Sequence, residues 1–200
     1  MIQPKIKLTY FDGKGYAELA RMLFNYGNVA FMDERISLED YEAMKPKLPF
    51  VQVPILEVDG TVYSQSMAMA RYAAKLAGLY PGDAVTALKV DMFSSSLCDL
   101  DAPFMDFMWK TEDETEKAEK KKVFIEETVP TFLTTFEKLV AGKFVLGDTI
   151  SYADLQLSVF PDFSVDGYPK LAATVSNVKT EPTIAAYLSL AEQSAQGLRK

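Results

Sequence analysis

The sequence contains no histidine, and this absence excludes several kinds of site. Serine and cysteine nucleophiles that depend on a histidine base are excluded, and so is zinc bound by imidazole. Cys98 is the only cysteine, and one thiolate cannot complete a cysteine zinc site. If the protein is an enzyme, its acid–base chemistry must therefore come from Tyr, Asp, Glu or Lys, and we expect no metal.

Cysteine, long apolar runs and basic residues are also scarce, and each scarcity bears on the compartment or the partners of the protein. A single cysteine forms no intrachain disulfide, which favours a reducing cytoplasm. No apolar run approaches the ~20 residues of a membrane span, and the N-terminal residues have a strand pattern instead of the apolar stretch of a signal peptide. The 21 Lys and Arg residues are outnumbered by 28 Asp and Glu, which argues against nucleic-acid binding. We expect a cytoplasmic protein that binds neither membrane nor nucleic acid.

Residues 1–80 have alternating strand and helix patterns, which predict a small α/β domain. Polar and apolar residues alternate over 5–10, and apolar residues recur at helical spacing over 16–26. Asp59-Gly60 lies between two β-rich segments and predicts a tight hairpin turn. The predicted elements are strands at 5–10, 29–36, 55–58 and 61–63, and helices at 16–26, 38–47 and 66–76. Their order is βαβ, a short helix, then ββα.

The strand patterns stop after residue 83, and the rest of the chain has helical periodicity. Pro103 should bend the end of a first long helix, and Pro130 should bend or interrupt a second. Ser151 precedes an apolar run with Asp154 three residues later, which is the spacing of a capping box. Helices are predicted over 86–108 and 123–139, from 151, and from 182. The second domain is therefore predicted to be all-helical.

Five short motifs occur in the order and spacing found in cytosolic glutathione transferases. They are Lys7-Leu8-Thr9-Tyr10-Phe11, Leu48-Pro49-Phe50, Val53-Pro54-Ile55-Leu56, Gln65-Ser66 and Ser151-Tyr152-Ala153-Asp154. The chain most resembles the sigma class, which includes haematopoietic prostaglandin D synthases and S-crystallins. This resemblance implies a thioredoxin-like domain over 1–80 that binds glutathione. It also implies a helical domain over 84–200 that supplies the electrophile pocket, and a homodimer.

The resemblance implies that Tyr10, at the end of the first strand, is the catalytic residue. Conjugation needs the glutathione sulfur as a thiolate, while a cysteine-type thiol has a pKa of about 8.5. A hydroxyl that donates a hydrogen bond to the sulfur favours the charged form. Tyrosine suits this task because its hydroxyl ordinarily keeps its proton near neutral pH. Without the other motifs, Tyr10 would be interpreted as a strand-end residue covering the core.

The resemblance also implies two contacts with the glutathione backbone and carboxylate. Proline in a central strand would remove a ladder donor, so Pro54 belongs at a strand start or edge, with either a cis or a trans bond. The resemblance favours cis and implies that the Val53 backbone pairs with the cysteinyl unit of glutathione. Gln65 and Ser66 begin a helix whose first turn has no acidic residue, so a serine cap or an external anion would fit there. The resemblance implies that Gln65 and Ser66 donate hydrogen bonds to the γ-glutamyl carboxylate of glutathione.

Further glutathione contacts are implied for residues outside these motifs. Lys45 matches a lysine directed at the glycine carboxylate, and Tyr41 lies where many sigma members have tryptophan. Gln52 replaces a frequent lysine and keeps only a neutral hydrogen-bonding group. Asp99 matches an acidic residue that reaches the γ-glutamyl amine bound to the partner subunit. An alternative stays open: the match can shift to Asp101, two residues later, which would leave Asp99 as a solvated helix residue.

The electrophile pocket is implied to contain residues from both predicted domains, namely Phe11, Lys14, Tyr16, Met105 and Trp109. Tyr16 departs from the family pattern, since many sigma enzymes have arginine there. Lys14 offers the nearby positive charge, and its long, flexible stem makes it a poor substitute for arginine. The apolar cluster around Met105 is typical of a core as well as of a ligand wall. Cys98 is expected to be an inert buried thiol.

The function implied by the resemblance is conjugation of the glutathione thiolate to small apolar electrophiles. Two alternatives stay open. One is a glutathione-dependent isomerase of the prostaglandin type, or a peroxidase. The other is a non-catalytic structural or binding member of the fold. The retained Tyr10 and the lack of an obvious insertion in the helical part favour an enzyme.

Overall fold

The computed structural model describes residues 3–159 and 164–197, with side chains described as far as residue 191. The chain divides into two compact units. The first contains the residues up to Tyr80 together with those from Glu181 onward. The second runs from Pro81 to Thr180.

Within the described residues, the first unit contains a mixed sheet of four strands. They are β1 (Ile6–Phe11), β2 (Met32–Ile36), β3 (Ile55–Val58) and β4 (Thr61–Ser64), in the order β2-β1-β3-β4. Strand β1 runs parallel to β2 and antiparallel to β3, and β4 is antiparallel to β3. Leu8 and Leu56 lie opposite each other in the ladder and are both buried. Strand β1 is thus an inner strand of the sheet, and its C-terminal residues lead into the loop before α1.

The helices of the first unit are α1 (Glu18–Tyr26), α2 (Leu38–Met44), α3 (Ser66–Leu76) and α10 (Pro182–Gly197). Helix α1 packs against both α3 and α10. Gly27, at the end of α1, approaches α3 so closely that a Cβ there would lie 2.6 Å from the Cα of Ala77. The βαβ-α-ββα order predicted from the sequence is confirmed.

The predicted hairpin between β3 and β4 is also confirmed. Asp59 and Gly60 both have positive φ, at 49° and 84°. This pair of left-handed residues is the geometry of the tight turn that Asp-Gly favours. The turn therefore fixes the register of β4 on β3.

Helix α10 differs from the sequence expectation, which placed it in a helical domain over 84–200. The compact first unit includes this helix. Ile184 is fully buried, and the Tyr187 hydroxyl donates to the carboxylate of Glu18 at 3.0 Å. Because this unit is discontinuous in sequence, periodicity along the chain does not reveal it.

The second unit is helical, as predicted, in the part of it that is described. Phe93, Leu97, Phe136, Tyr152 and Leu155 are buried in its core, and the rings of Phe93 and Phe136 lie 4.7 Å apart. Helix α9 lies in a region for which the sequence predicted no element. The helices are α4 (Ala84–Cys98), α5 (Asp101–Met105), α6 (Glu114–Val123), α7 (Val129–Leu139), α8 (Tyr152–Val159) and α9 (Pro169–Thr180).

The predicted long helix over 86–108 is divided in two. Helix α4 ends at Cys98, α5 starts at Asp101, and a π-helical turn follows at Asp106–Lys110. Pro103 lies in the first turn of α5, where a missing N–H costs no helical hydrogen bond. The break therefore precedes the proline instead of following it.

The expected interruption at Pro130 corresponds to a π-helical turn at Phe124–Thr128. Pro130 is the second residue of the next helix, α7. A proline in the first turn does not disrupt the helix that it starts. The chain direction is therefore adjusted just before the proline.

Ser151 and Asp154 make one of the two hydrogen bonds of the capping box that their spacing predicted, from the Ser151 N–H to the Asp154 carboxylate. Asp154 is fully buried and accepts hydrogen bonds from the backbone N–H groups of Val145 and Ser151 and from the Ser151 hydroxyl, all at 2.8 Å. Burial raises the pKa of Asp154, and these hydrogen bonds oppose that shift. The pair joins the preceding loop to the start of α8.

Candidate active site

Tyr10 lies near the end of the central strand, and its side chain is half-buried. The backbone N–H of Tyr16 points at the Tyr10 hydroxyl oxygen, with 3.5 Å between the nitrogen and the oxygen. Both Gly15 and Tyr16, which adjoin the hydroxyl, are exposed. The hydroxyl is therefore directed at a surface loop and not into the apolar core.

This loop, residues 12–16, requires glycine at its closest approach to Tyr10. Gly15 has φ of +41°, and an added Cβ there would lie 2.6 Å from the Tyr10 hydroxyl oxygen. Any side chain at this position would be strained and would displace the phenol. Gly13, by contrast, has no heavy atom within 4 Å of an added Cβ.

A row of ring contacts connects Tyr10, through Phe11, with Tyr41 and Lys45, which are distant from it in sequence. The Tyr10 and Phe11 rings meet edge-on with centroids 5.4 Å apart, and Phe11 meets Tyr41 in the same way at 5.3 Å. The Lys45 Nζ lies 5.3 Å from the centroid of the Tyr41 ring. Tyr10, Phe11, Tyr41 and Lys45 therefore form one continuous row in the first unit.

Two of these side chains already have partners. The Tyr41 hydroxyl donates to the carbonyl of Val51 at 3.0 Å. Lys45 forms an exposed ion pair with Glu42 at 3.3 Å. Exposed pairs of this kind contribute little, so the Lys45 ammonium can exchange Glu42 for another carboxylate at low cost.

The segment before β3 has the backbone form that the resemblance implied. The Val53–Pro54 peptide bond is cis. Gln52 is exposed and extended, and Pro54 is buried. Within the described part of the chain, the Val53 N–H and C=O have no hydrogen-bond partner. This segment therefore offers a donor and an acceptor just before the start of β3.

The start of α3 combines backbone strain with unpaired N–H groups. Gln65, just before the helix, has φ of 77° and ψ of 104° and is exposed. Non-glycine residues in such regions cost free energy and are often found at binding sites. The first turn, from Ser66, contains no acidic residue. Its N–H groups and partial positive charge suit an anion.

Asp99 and Asp101, the alternatives for the predicted partner-subunit contact, differ in environment. Asp99 caps the C-terminal end of α4 and is exposed. Asp101 is half-buried, and burial raises its pKa to about 6. An exposed carboxylate is the better candidate for a contact with another molecule, which favours Asp99.

The apolar cluster after Pro103 is divided between core and surface. Phe104, Phe107 and Phe124 pack together, with ring centroids between 5.3 and 6.0 Å apart, and Phe107 is buried. Met105 is half-buried, whereas Trp109 is 73% exposed. The core interpretation therefore holds for the phenylalanines, and Met105 and Trp109 remain the candidates for ligand contact.

Cys98 is half-buried, less enclosed than the sequence suggested. The side-chain amide of Gln156 donates to its sulfur at 3.4 Å. This donor is a neutral amide, so it supplies no positive charge that would favour a thiolate.

A buried charged network beside the loop was not predicted from the sequence. Arg21 and Glu18 lie on α1, and both are buried, with Arg21 fully enclosed. Arg21 also pairs with Asp33 on β2 at 3.0 Å. The sequence did contain one signal for this network, namely two charged residues, Glu18 and Arg21, within the otherwise apolar helix pattern of 16–26. Charged residues are rarely buried unless they are paired, so two such residues in an apolar helix suggest a buried pair.

The described residues contain neither a cluster of metal ligands nor a membrane-spanning helix. No group of three or more Cys, Asp or Glu side chains in this part of the chain is placed to hold a metal ion. Between residues 3 and 159 and between 164 and 197, no helix is long and apolar enough to cross a membrane.

Comparison with known families covers most of the chain. Residues 8–82 match the N-terminal domain of glutathione S-transferases, and residues 98–190 match their C-terminal domain.

Relatives at about one-third identity carry three different names. Glutathione S-transferase 1 of Ascaris suum is 34% identical over 93% of this chain and 96% of its own length. Hematopoietic prostaglandin D synthase of Gallus gallus is 32% identical over 96% and 99%. S-crystallin SL11 of Nototodarus sloanii is 35% identical, also over 96% and 99%. The solved structure of prostaglandin synthase D of Nilaparvata lugens superposes with a TM-score of 0.87 at 30% identity, covering 93% of this chain and 98% of that one.

Proposed function

Since this chain belongs to the cytosolic glutathione S-transferase family and is sigma-class-like, we propose that it conjugates glutathione to small apolar electrophiles. The observation that carries this proposal is the position of the Tyr10 hydroxyl. It lies at the exposed loop after the central strand, next to the Tyr16 N–H, where a substrate sulfur can reach it. The single cysteine is consistent with the reducing cytoplasm in which we propose the protein works.

The proposed chemistry is stabilisation of a thiolate. Tyr10 donates its hydroxyl hydrogen to the glutathione sulfur, which favours the ionised form over the thiol. Each unit by which the thiol pKa falls corresponds to about 1.4 kcal/mol. The thiolate then attacks an electrophile held beside it, so that binding and orientation supply much of the remaining rate gain.

We propose that glutathione lies along the first unit, held by its backbone and its charged ends. The free N–H and C=O of Val53 pair with the cysteinyl unit in the manner of an added strand. Gln65 and Ser66 hold the γ-glutamyl carboxylate at the start of α3. Lys45 pairs with the glycine carboxylate, and Gln52 supplies a neutral hydrogen bond.

Tyr41 is proposed to contact glutathione through its ring. Its hydroxyl hydrogen already goes to the Val51 carbonyl, which fixes the ring against Phe11. The ring of Tyr41, and not its hydroxyl hydrogen, is therefore proposed to contact glutathione.

The electrophile contacts stay predictions for both units. Phe11, Lys14 and Tyr16 are assigned in the first unit, and Met105 and Trp109 in the second. An exposed tryptophan and a half-buried methionine are both suited to apolar ligands. Replacement of the usual arginine by Tyr16 removes a positive charge near the sulfur and adds an aromatic surface.

We also propose that the protein is a homodimer. Val85, Leu88 and Met92 are exposed on α4, at spacings that place them on one face of the helix. Asp99, seven residues after Met92, continues that face and is exposed. A second copy would cover this apolar face, and the partner's Asp99 would pair with the γ-glutamyl amine.

The experiment that tests the enzymatic proposal compares Tyr10→Phe with wild type. We expect wild type to bind immobilised glutathione and to turn over a chlorodinitrobenzene-type electrophile. Tyr10→Phe should lower kcat/KM by about 100-fold or more, because the hydrogen bond to the sulfur is lost. Tyr72→Phe removes a hydroxyl from α3, outside the proposed site, and should leave turnover unchanged.

The same experiment, with two further activity assays, separates the alternatives that the sequence left open. Binding of glutathione without turnover, unaltered by Tyr10→Phe, would support a structural or binding protein. Isomerisation of a prostaglandin endoperoxide, or reduction of a lipid hydroperoxide, that exceeds conjugation would support one of the alternative enzymes.

A further inference from the structure

Arg21 is a buried cation whose guanidinium serves several groups at once. Its side chain has no exposed surface. The Nε donates to Asp33 at 3.0 Å, and Nη1 lies 3.4 Å from a carboxylate oxygen of Glu18. Arginine suits this position because its planar fork holds several acceptors in fixed directions, whereas lysine does not.

Arg21 also holds the loop that adjoins the Tyr10 hydroxyl. Its Nη1 donates to the carbonyl oxygens of Gly13 at 2.6 Å and Lys14 at 3.2 Å. The guanidinium carbon lies 5.9 Å from the centroid of the Tyr10 ring. The next residue is Gly15, where an added Cβ would lie 2.6 Å from the Tyr10 hydroxyl oxygen. One side chain therefore links the buried face of α1 to the backbone beside the phenol.

Arg21 is in turn connected to the C-terminal helix. Tyr187 on α10 donates its hydroxyl to Glu18 at 3.0 Å, and Glu18 is only 3% exposed. Burial, followed by the nearby Glu18 charge, raises the pKa of Tyr187, so its hydroxyl stays a donor. The contacts form a chain in the order Tyr187, Glu18, Arg21 and the loop carbonyls.

We propose that Arg21, held by Glu18 and Tyr187, is a positioning residue that fixes the loop of residues 12–16 against the Tyr10 hydroxyl. It sets the direction in which that hydroxyl donates to the glutathione sulfur. This rests on the proposed function. Arg35, which reaches the Gly13 carbonyl at 3.4 Å from a more exposed position, adds a weaker hold on the same loop.

The test uses two variants of the full-length protein. Tyr187→Phe removes only the hydroxyl that orients Glu18, so it should fold even if changes at Arg21 do not. Arg21→Lys keeps the charge but loses the fork. Tyr168→Phe is the matched control, because it removes a hydroxyl that donates to the Pro130 carbonyl in the other unit.

Three readouts apply to each variant: hydrogen exchange of the amides of residues 12–16 in the free protein, the pH at which bound glutathione ionises, and kcat with KM. We expect faster exchange in both variants. Ionisation should move to higher pH, by about half a unit in Tyr187→Phe, which corresponds to about threefold. The kcat of Arg21→Lys should fall by about tenfold at little-changed KM, because small displacements of a reacting group are costly. Tyr168→Phe should match wild type.

The proposal is overturned if Tyr187→Phe and a folded Arg21→Lys keep the wild-type exchange rates. It is also overturned if the loop loosens while ionisation and kcat stay unchanged, since Arg21 would then be only structural. Failure of wild type to ionise bound glutathione would instead contradict the proposed function. In that case the chemical role of Arg21 falls with it, while the exchange data still show whether Arg21 fixes the loop.

Discussion

The hydroxyl of Tyr10 occupies space that only a glycine at position 15 leaves free. A Cβ on Gly15 would lie 2.6 Å from the Tyr10 oxygen and 2.9 Å from its Cε1. The phenol at the end of β1 and the loop that follows it are therefore packed as one unit. The orientation of the proposed donor depends on a residue that supplies no chemical group.

Gly15→Ala should reduce conjugation strongly. The added methyl group clashes with the phenol, and φ of +41° disfavours alanine. We expect kcat/KM to fall by about tenfold or more, because the donor is displaced. Steady-state kinetics checks this.

Gly13→Ala is the matched control, because an added Cβ there meets no atom within 4 Å. It should retain near-normal kinetics. Equal losses in the two alanine variants would show that loop flexibility, and not the contact with Tyr10, matters.

Gln65 tests whether backbone strain and ligand binding are combined at the start of α3. Its φ of 77° suits glycine better than any residue with a side chain. Gln65→Gly should therefore be more stable than Gln65→Ala, by about 1 kcal/mol in the free energy of unfolding. Both variants lose the side-chain amide, so both should bind glutathione less tightly than wild type. Denaturant unfolding and calorimetry measure the two effects, and unchanged glutathione affinity in both variants would remove Gln65 from the site.

Asp101 should make stability depend on pH in a defined direction. Burial raises its pKa from 3.8 to about 6 in the folded chain. Between these values the folded state holds the proton more tightly than the unfolded state, so stability falls as pH rises. Asp101→Asn removes this penalty. The variant should match wild type near pH 4 and exceed it in stability above about pH 6.

Asp106→Asn provides the opposite case in the neighbouring turn. Hydrogen bonding to Lys120 lowers the pKa of Asp106, so its ionised form is favoured in the folded state. This variant should be less stable than wild type at neutral pH, and the difference should vanish in acid. Urea unfolding across the pH range checks both variants. The same pH trend in both would contradict the assignment of burial at Asp101.

Leu88→Asp should weaken the proposed dimer. Leu88 is 67% exposed on the apolar face of α4. A carboxylate buried there by a second copy would be unpaired, so we expect the dimer dissociation constant to rise by about tenfold or more. Leu38→Asp, at an equally exposed leucine on α2, should leave association unchanged. Sedimentation velocity distinguishes these outcomes, and a Leu88→Asp protein that stays dimeric would place the interface elsewhere.

The parts of the fold that local patterns determine could be predicted from the sequence. Asp59-Gly60 specifies its own turn because both residues tolerate positive φ. The spacing of Ser151 and Asp154 similarly predicts a contact within one helical turn. Such features depend on neighbours in sequence, so periodicity and turn chemistry are sufficient.

The parts that depend on distant packing could not be predicted. The division between α4 and α5 follows from the adjustment of the chain at Asp99 and Leu100, which helical periodicity does not record. For the site, motif spacing predicted a role for Tyr10, but nothing local indicated that Arg21 bonds to the Gly13 carbonyl. The role of a buried arginine can be inferred only when its hydrogen-bond acceptors on other elements are known.

The hydrogen bond between Tyr187 and Glu18 spans 169 positions of the chain. During synthesis, the segment that carries Glu18 leaves the ribosome long before Tyr187 is translated. The unit that contains Tyr10 can therefore acquire its full set of contacts only when nearly the whole polypeptide has emerged. A nascent chain truncated before α10 would contain an incomplete version of this unit. The unit therefore completes its folding only after α10 has been synthesised.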